Sequence, residues 1–354
     1  MWTWPLYGLL CALMPCYAAE AEDIVLQVAP RRVYVASDGV APQWRVMVVA
    51  INKISAAVTL EQVQITLVTA AGSTTATYGG DRLKEIAPGR REAAPGGPII
   101  LYLVDDGKAP GRPEHADVAL SFKAADVAID RKCSFDLEPR TTTYYPFPLP
   151  GKWIVANGRE TQHAGGIGFA FDLMKPGDYD LLDALDPNPR LSEFAGYGQP
   201  LLSPVTGRVV AARDDRPDLA PSLEQSPFAG KVPADRMELV GNYLVIDAGY
   251  GRFMFLGHLR QDSLQVRVGD GVCAGQPLAR VGNSGNTNAP HLHIEVLDGS
   301  PDLRNIASVR FAQSGLPFGF KGVRVERDGV VTRLGHCVPI HRQTIYGDDE
   351  RANL

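Results

Sequence analysis

The stretch from residue 290 to residue 296 reads Pro290-His291-Leu292-His293-Ile294-Glu295-Val296 and alternates polar with apolar side chains. Such alternation is typical of a β-strand, on which successive side chains point to opposite faces. Both histidines therefore share one face, and the three aliphatic side chains share the other. At ~3.3 Å per residue the two histidines stand about 6.6 Å apart. One imidazole can then bind a metal ion while the other reaches the water on that ion.

Two further segments place polar groups on strands. The segment Phe169-Ala170-Phe171-Asp172-Leu173 alternates so that Asp172 faces away from the two phenylalanines. Residues 242–247 and 252–259 read as a hairpin around Ala248-Gly249-Tyr250-Gly251, which places His258 on one strand face. We expect the functional residues of the chain on these strands.

The composition favours a mainly β protein. The chain has 354 residues, of which 45% are hydrophobic, and it contains 36 glycines and 27 prolines. Both of these residue types interrupt helices and serve in turns, so many short strands are expected. The formal net charge of -5, without a basic stripe, argues against nucleic acid as a partner.

The pattern along the chain predicts two domains and an extension. Residues 22–145 contain short alternating bursts separated by Gly, Pro and Asp, which predict an immunoglobulin-like β-sandwich as an accessory domain. The proline-rich segment 144–151 reads as a linker and sets the boundary near residue 145. A second domain is predicted over residues 146–300, with long loops at 175–200 and 213–235 that wall a cleft. Residues 301–354 form a C-terminal extension.

The N-terminal segment resembles an export signal. An apolar stretch, Leu6–Pro15, is followed by small residues at Ala18, Ala19 and Ala21, and it is shorter than the ~20 residues that span a bilayer. We predict a signal peptide over residues 1–21, a periplasmic or secreted mature protein, and no stable membrane span after cleavage. A buried N-terminal segment is the alternative. Cleavage would leave three cysteines, Cys133, Cys273 and Cys337, which match no zinc-binding spacing.

Four histidines and one aspartate fit a catalytic metal site. A catalytic zinc takes about three protein ligands of N or O type and keeps one position open for water. His163, Asp172 and His293 could supply these ligands, which leaves His258 and His291 as acid/base groups. A lone histidine is more often a core or surface residue, but a His-x-His strand with a further Gly-His-Leu motif favours a metal site.

The motifs between residues 150 and 300 resemble the lysostaphin-like (LytM-type) M23 zinc metallopeptidase family. They occur in the family's order: Leu202-Ser203-Pro204-Val205-Thr206-Gly207, Gly241-Asn242-Tyr243-Leu244-Val245-Ile246, Gly257-His258-Leu259, Val266-Arg267-Val268-Gly269-Asp270, Gly275-Gln276-Pro277-Leu278, Gly282-Asn283-Ser284-Gly285-Asn286-Thr287 and Pro290-His291-Leu292-His293. The resemblance implies an antiparallel-β peptidase domain that binds Zn²⁺ and hydrolyses peptide cross-links in peptidoglycan.

The resemblance also implies roles for individual residues. The zinc ligands map to His163, Asp172 and His293, and the residues that assist catalysis map to His291 and His258. Many family members space the first two ligands as His-x-x-x-Asp, whereas eight residues separate them here. In this mapping one assisting histidine takes a proton from the zinc-bound water and the other donates a hydrogen bond to the oxyanion, in either order.

Three polar or accessory features stay open at the sequence level. Asn242 either shapes the site or serves a turn, and Glu295 is either a partner of a metal ligand or a solvated carboxylate. The N-terminal domain is a candidate surface for other envelope proteins.

Two other functions share part of this sequence pattern. Biotinyl and lipoyl carrier domains share similar turn glycines, but they need a lysine at a hairpin tip, and no lysine occurs between Pro233 and Phe320. The main alternative is a catalytically inactive LytM-like domain that recruits or activates another cell-wall hydrolase. Because all five predicted site positions carry the expected residue types, we favour the enzyme.

Overall fold

The computed structural model describes residues 23–30, 32–40, 43–105, 109, 111–158, 169–178, 189–221, 236–299 and 314–348. Nearly all of the regular structure is β-strand; the helix α1 (Leu83–Ile86) has four residues, and residues 176–178 are also helical. The prediction of a mainly β protein is confirmed. The predicted signal peptide, residues 1–21, and the predicted ligand His163 lie outside the described residues.

The chain divides into two compact units, the first ending at Pro139 and the second beginning at Arg140. The strands of the first unit are β1 (Ile24–Ala29), β2 (Val33–Ala36), β3 (Arg45–Asn52), β4 (Val58–Thr69), β5 (Gly72–Gly79), β6 (Glu92–Ala93), β7 (Pro98–Val104), β8 (Pro113–Ala124) and β9 (Val127–Arg140). They form a three-stranded sheet, β1-β3-β7, and a six-stranded sheet, β2-β9-β8-β4-β5, with β6 on β4.

One hydrophobic core joins these two sheets. Trp44, Val48 and Leu101 from the smaller sheet side pack in the same buried cluster as Leu120 and Phe122 from the larger sheet. Two antiparallel sheets around a shared core are consistent with the predicted β-sandwich.

The second unit contains the strands β10 (Thr143–Pro146), β11 (Gly151–Asn157), β12 (Ala170–Met174), β13 (Pro200–Leu202), β14 (Gly207–Arg213), β15 (Asn242–Asp247), β16 (Phe253–Leu259), β17 (Gly271–Val272), β18 (Pro277–Arg280), β19 (Leu292–Leu297), β20 (Phe318–Arg327), β21 (Val330–Cys337) and β22 (Thr344–Gly347). Eleven of them form one sheet in the order β10-β20-β22-β11-β12-β19-β16-β15-β14-β17, with β21 on β20, while β13 pairs with β18.

The C-terminal strands are part of this sheet. β20 pairs with β10 and β22, and β22 pairs in turn with β11. The segment predicted as a C-terminal extension therefore supplies three strands to the sheet that holds the candidate site. The linker predicted over residues 144–151 lies within the second unit and contains the end of β10 and the start of β11.

The centre of the large sheet separates an apolar face from a polar face. Trp153, Phe171 and Ile294, on β11, β12 and β19, are fully buried on the apolar face. Alternation along the same strands turns Asp172 and His293 to the other face. The side chains that could do chemistry thus stand on the most deeply buried strands of the unit.

Cys133, Cys273 and Cys337 are free thiols in this structure. Among the described residues, no helix is long and apolar enough to cross a membrane.

Candidate active site

Asp172 and His293 form the centre of the site because β12 and β19 pair them directly across the sheet. The distance from Asp172 Oδ1 to His293 Nδ1 is 2.9 Å. Their side chains are almost completely buried, with relative exposures of 4% and 1%. The amide of Asn157 donates a 3.0 Å hydrogen bond to the second carboxylate oxygen of Asp172. This carboxylate is therefore held at both oxygens, by groups on β11 and β19.

His258 reaches the same cluster through an irregularity in β16. The pairing of β15 with β16 shifts register between Asn242 and Leu244, and His258 adopts a φ of 59°. Left-handed backbone is uncommon for residues other than glycine. The backbone N–H of His258 donates to Val240 O at 3.0 Å, which fixes this bulge. Sequence alternation placed His258 on a strand face, whereas in the structure the bulge sets its direction.

Backbone carbonyls orient His258 and His291. Nδ1 of His258 lies 2.9 Å from Ser284 O, and Nδ1 of His291 lies 2.8 Å from Ala289 O. A carbonyl can only accept a hydrogen bond, so the Nδ1 atom of each imidazole carries the proton. In the neutral form the Nε2 atom of each histidine is then an acceptor.

These histidines and Asp172 form one compact cluster. The ring centroids of His258 and His291 lie 4.6 Å apart, and those of His258 and His293 lie 5.9 Å apart. Nε2 of His291 is 3.7 Å from Asp172 Oδ1. The structure thus brings together four of the five predicted site residues.

The protonation of two histidines is strongly shifted. Burial, reinforced by the neighbouring His291 and His293, holds the pKa of His258 well below its ordinary value. Burial also opposes a charge on His293, but the carboxylates of Asp172 and Glu295 outweigh it and raise the pKa of His293 to about 9. At neutral pH, His258 is therefore a neutral imidazole and His293, without a metal, is a cation.

Glu295 belongs to the site and is not a solvated carboxylate. It is 3% exposed, and its Oε1 atom lies 3.6 Å from Nε2 of His293. The carboxylates of Asp172 and Glu295 thus stand on opposite sides of one imidazole. A carboxylate beside an imidazole orients the ring and raises its basicity, so of the two interpretations that the sequence left open for Glu295, the structure favours a partner of His293.

The donor set around Asp172 suits a divalent cation such as zinc. In the metal-free protein the proton on His293 supplies the positive charge that the two buried carboxylates require. Binding of a metal ion replaces such a proton. No group of three or more metal-binding side chains is assembled among the described residues. The third predicted ligand, His163, lies outside them.

The side chains of Ser284 and Asn242 fix the backbone around residue 284, whose carbonyl oxygen accepts the hydrogen bond from His258. The hydroxyl of Ser284 donates to Leu259 O at 2.7 Å and accepts from the backbone N–H of Asn242 at 2.9 Å. The Asn242 side chain is fully buried and bonds both Arg216 and Leu259. Asn242 therefore shapes the site rather than a local turn.

Two backbone segments approach each other closely at this point, and each needs a glycine there. Gly241 and Gly285 have φ values of 64° and 83°. A β-carbon at Gly241 would collide with the backbone of Ser284, and one at Gly285 would collide with the backbone of Gly241. Glycine is needed for both the backbone conformation and the close approach.

A second hydrogen-bond chain supports His291. Asp218 Oδ1 accepts from the backbone N–H of Asn283 at 2.7 Å. The side-chain oxygen of Asn283 lies 2.9 Å from the hydroxyl of Thr287. That hydroxyl is 2.8 Å from Ala289 O and 3.1 Å from Nδ1 of His291. The positions of Asp218 and Thr287 were not predicted from the sequence, since Asp218 is far from the histidines along the chain and Thr287 stands only within a glycine- and asparagine-rich motif.

The sequence of this region matches a known family. Residues 192–304, about a third of the chain, match the model of peptidase family M23. Over these residues the chain is similar to M23 peptidase domains. His258, His291 and His293 lie inside the matched range, whereas Asp172 and His163 precede it. The M23 match supports a peptidase.

Solved structures with a likeness to this chain include several peptidases. The catalytic domain of the M23 protein EnpA from Enterococcus faecalis (A109H mutant) is 17% identical, covers 46% of this chain and 89% of its own, and has a TM-score of 0.28. A zinc-containing peptidase from Vibrio cholerae is 15% identical, covers 82% of this chain and 83% of its own, and has a TM-score of 0.26. No curated protein matches the chain. Because these TM-scores are low, the assignment of the M23 domain rests on the match over residues 192–304.

The hydrogen-bond chain to His291 gives a first prediction. Thr287→Val keeps the shape of the side chain but removes the hydroxyl that contacts Asn283, Ala289 and His291. We expect peptidase activity to fall about 5- to 30-fold, which corresponds to about 1–2 kcal/mol for lost buried hydrogen bonds. Thr287→Ser restores the hydroxyl and should recover most of the activity. The check is kcat/KM for the three proteins at equal metal content, and full activity of Thr287→Val would contradict the role of the hydroxyl.

Proposed function

We propose that the protein is an exported zinc metalloendopeptidase that hydrolyses peptide bonds in peptidoglycan cross-links. The single observation that carries the proposal is the buried cluster of three imidazoles around the Asp172 carboxylate, with distances of 2.9 Å to His293 and 3.7 Å to His291. Three titratable rings are costly to bury together unless a bound ion or a reaction requires them.

We assign the metal to His163, Asp172 and His293. Zinc favours nitrogen and oxygen ligands of this kind and, when bound, polarises a peptide carbonyl and lowers the pKa of its water. The fit to zinc is supported by the two carboxylates that stabilise positive charge at His293. Glu295 keeps the His293 ring in orientation from the far side.

His291 and His258 are assigned to proton transfer and oxyanion stabilisation. Because the Nδ1 proton of each ring is engaged by a backbone carbonyl, the Nε2 atom faces the reaction. A neutral Nε2 can take a proton from water, and the ring that carries this proton can then donate it to the leaving amine or hydrogen-bond the oxyanion. The same tautomer in both rings allows either of them to act first.

The substrate and the location rest on the sequence. Peptidoglycan peptides are the substrate class that the resemblance to the lysostaphin-like family implies, and the apolar segment before Ala18 supports export. In the alternative, the domain is inactive and recruits another cell-wall hydrolase. The experiments below separate the two functions.

The metal assignment predicts about one zinc per chain in the full-length mature protein. His293→Ala should remove the metal, since it deletes one of three protein ligands. Metal analysis of purified wild-type and variant protein tests this. As a control, Tyr250→Ala changes a side chain that is 97% exposed and should keep its zinc. Stoichiometric zinc in His293→Ala would refute the assignment of this ligand.

The two assisting histidines should separate catalysis from metal binding. His291→Ala and His258→Ala are expected to retain zinc and to lose hydrolysis by at least ~10²- to 10⁴-fold, the usual contribution of positioned acid/base groups. Release of cross-link peptides from purified cell wall measures activity, with a chelator control and zinc measured on the same samples. Wild-type rates in both variants would overturn the catalytic roles. A zinc-bound wild-type protein that cleaves neither wall nor test peptides would favour the recruiting function.

Export predicts a shortened N-terminus. The mature protein should begin between Ala19 and Glu22 and lie outside the cytoplasm, because small residues follow the apolar segment. N-terminal sequencing of the protein from fractionated native cells tests this. An intact Met1 on cytoplasmic protein would show that the segment is not a cleaved signal.

A further inference from the structure

Tyr197 and Arg260 form an exposed rim next to the candidate active site. The guanidinium carbon of Arg260 lies 5.2 Å from the centroid of the Tyr197 ring. Tyr197 is partly buried and Arg260 is exposed. Arg260 also hydrogen-bonds the phenol of Tyr197, and because a guanidinium has five N–H donors, others stay available to a ligand. The pair therefore presents a positively charged, oriented hydrogen-bond donor to solvent.

Packing of Tyr197, the position of Gly196 and the chain connection from His258 to Arg260 place this rim beside the histidines. Tyr197 packs against the buried cluster that contains Ala289, whose carbonyl accepts from His291. A β-carbon added to the preceding Gly196 would lie 3.4 Å from the carbonyl oxygen of Pro290, the neighbour of His291. Arg260 follows His258 by two residues at the end of β16. A peptide bound at the site would pass this rim within a few residues of the bond that is cut.

Asp218 fixes the rim without neutralising Arg260. The phenol of Tyr197 donates to Asp218 Oδ2 at 2.8 Å, and this oxygen also accepts from the backbone N–H of Gln261 at 3.3 Å. The other carboxylate oxygen accepts from Asn283. Both oxygens of Asp218 are thus occupied by other donors. Within the described part of the chain, no ion pair joins Arg260 to a carboxylate.

The neighbouring Arg280 is held by a backbone carbonyl rather than by an aromatic ring. Its guanidinium donates a 2.8 Å hydrogen bond to the carbonyl of Gly198, so one of its donors is already used within the protein. Arg280 is also exposed. It contributes a similar charge to the same region, but among the described residues no aromatic ring lies against its guanidinium, which makes it a matched control for Arg260.

We propose that Arg260, held against Tyr197, is a specificity subsite that binds a carboxylate of the substrate peptide close to the scissile bond. The ligand class is an acidic peptide, with a side-chain or α-carboxylate that the guanidinium can bind through two parallel N–H groups. This inference rests on the proposed peptidase function. Cell-wall peptides that present a free carboxylate next to the cross-link would be selected over their amidated forms.

Paired peptides test the subsite. Two substrates of equal length differ only in a carboxylate or a carboxamide next to the scissile bond, and kcat/KM is measured for each with the zinc-loaded full-length protein. We expect the wild type to favour the acid roughly tenfold, mainly through KM, because a charge-assisted hydrogen bond is lost with the amide. Arg260→Gln should remove the preference, and Arg260→Lys should retain part of it. Arg280→Gln should keep the wild-type ratio.

A binding experiment keeps the subsite testable if no hydrolysis occurs. Calorimetry with the same two peptides and metal-free protein should show tighter binding of the acid in the wild type and equal binding in Arg260→Gln. Absence of cleavage with this pattern of binding would refute the peptidase function and leave the subsite standing. Cleavage or binding with an unchanged acid/amide ratio in Arg260→Gln would refute the subsite. An equal loss of preference in Arg280→Gln would show a general charge effect and overturn the assignment to Arg260.

Discussion

The candidate site depends on the direct cross-strand contact between Asp172 and His293. These residues are opposite each other on β12 and β19, and their side chains meet at 2.9 Å. A buried carboxylate and a buried imidazole are each costly alone, and each reduces the cost of the other. Glu295 adds a second carboxylate on the far side of the ring. The central sheet therefore has to carry a positively charged group at this point, either a proton or a metal ion.

The sequence predicted the strands of the site well because the burial of each strand is one-sided. Residues 242–247 coincide with β15, and the predicted segments that contain Asp172 and His293 overlap β12 and β19 with shifts of one or two residues. In each case a run of Val, Leu, Ile or Phe at every second position marks the core face. The polar residues between them, Asp172 and His293, then face the site. Contacts between residues distant in sequence produce no such alternation. The sequence around Asp218 therefore did not indicate its role.

Two features of the site depend on tertiary contacts that local pattern does not encode. The left-handed backbone at His258 coincides with the register shift between β15 and β16. The burial of Glu295 depends on the neighbouring strands β12 and β16, which cover both edges of β19. Alternation correctly placed His258 and Glu295 on their strands. The direction and the burial of each side chain, however, depend on the packing of the whole sheet.

The left-handed backbone of His258 links the stability of the fold to the side chain proposed for catalysis. An L-residue in the left-handed region costs on the order of 1–2 kcal/mol relative to a right-handed or extended conformation, whereas glycine adopts it freely. Glycine or asparagine at residue 258 would relieve this backbone strain. The backbone strain at His258 lowers the free energy of unfolding. A search for thermostable variants of this domain that scores only melting temperature would therefore favour replacing a residue to which we assign a catalytic role.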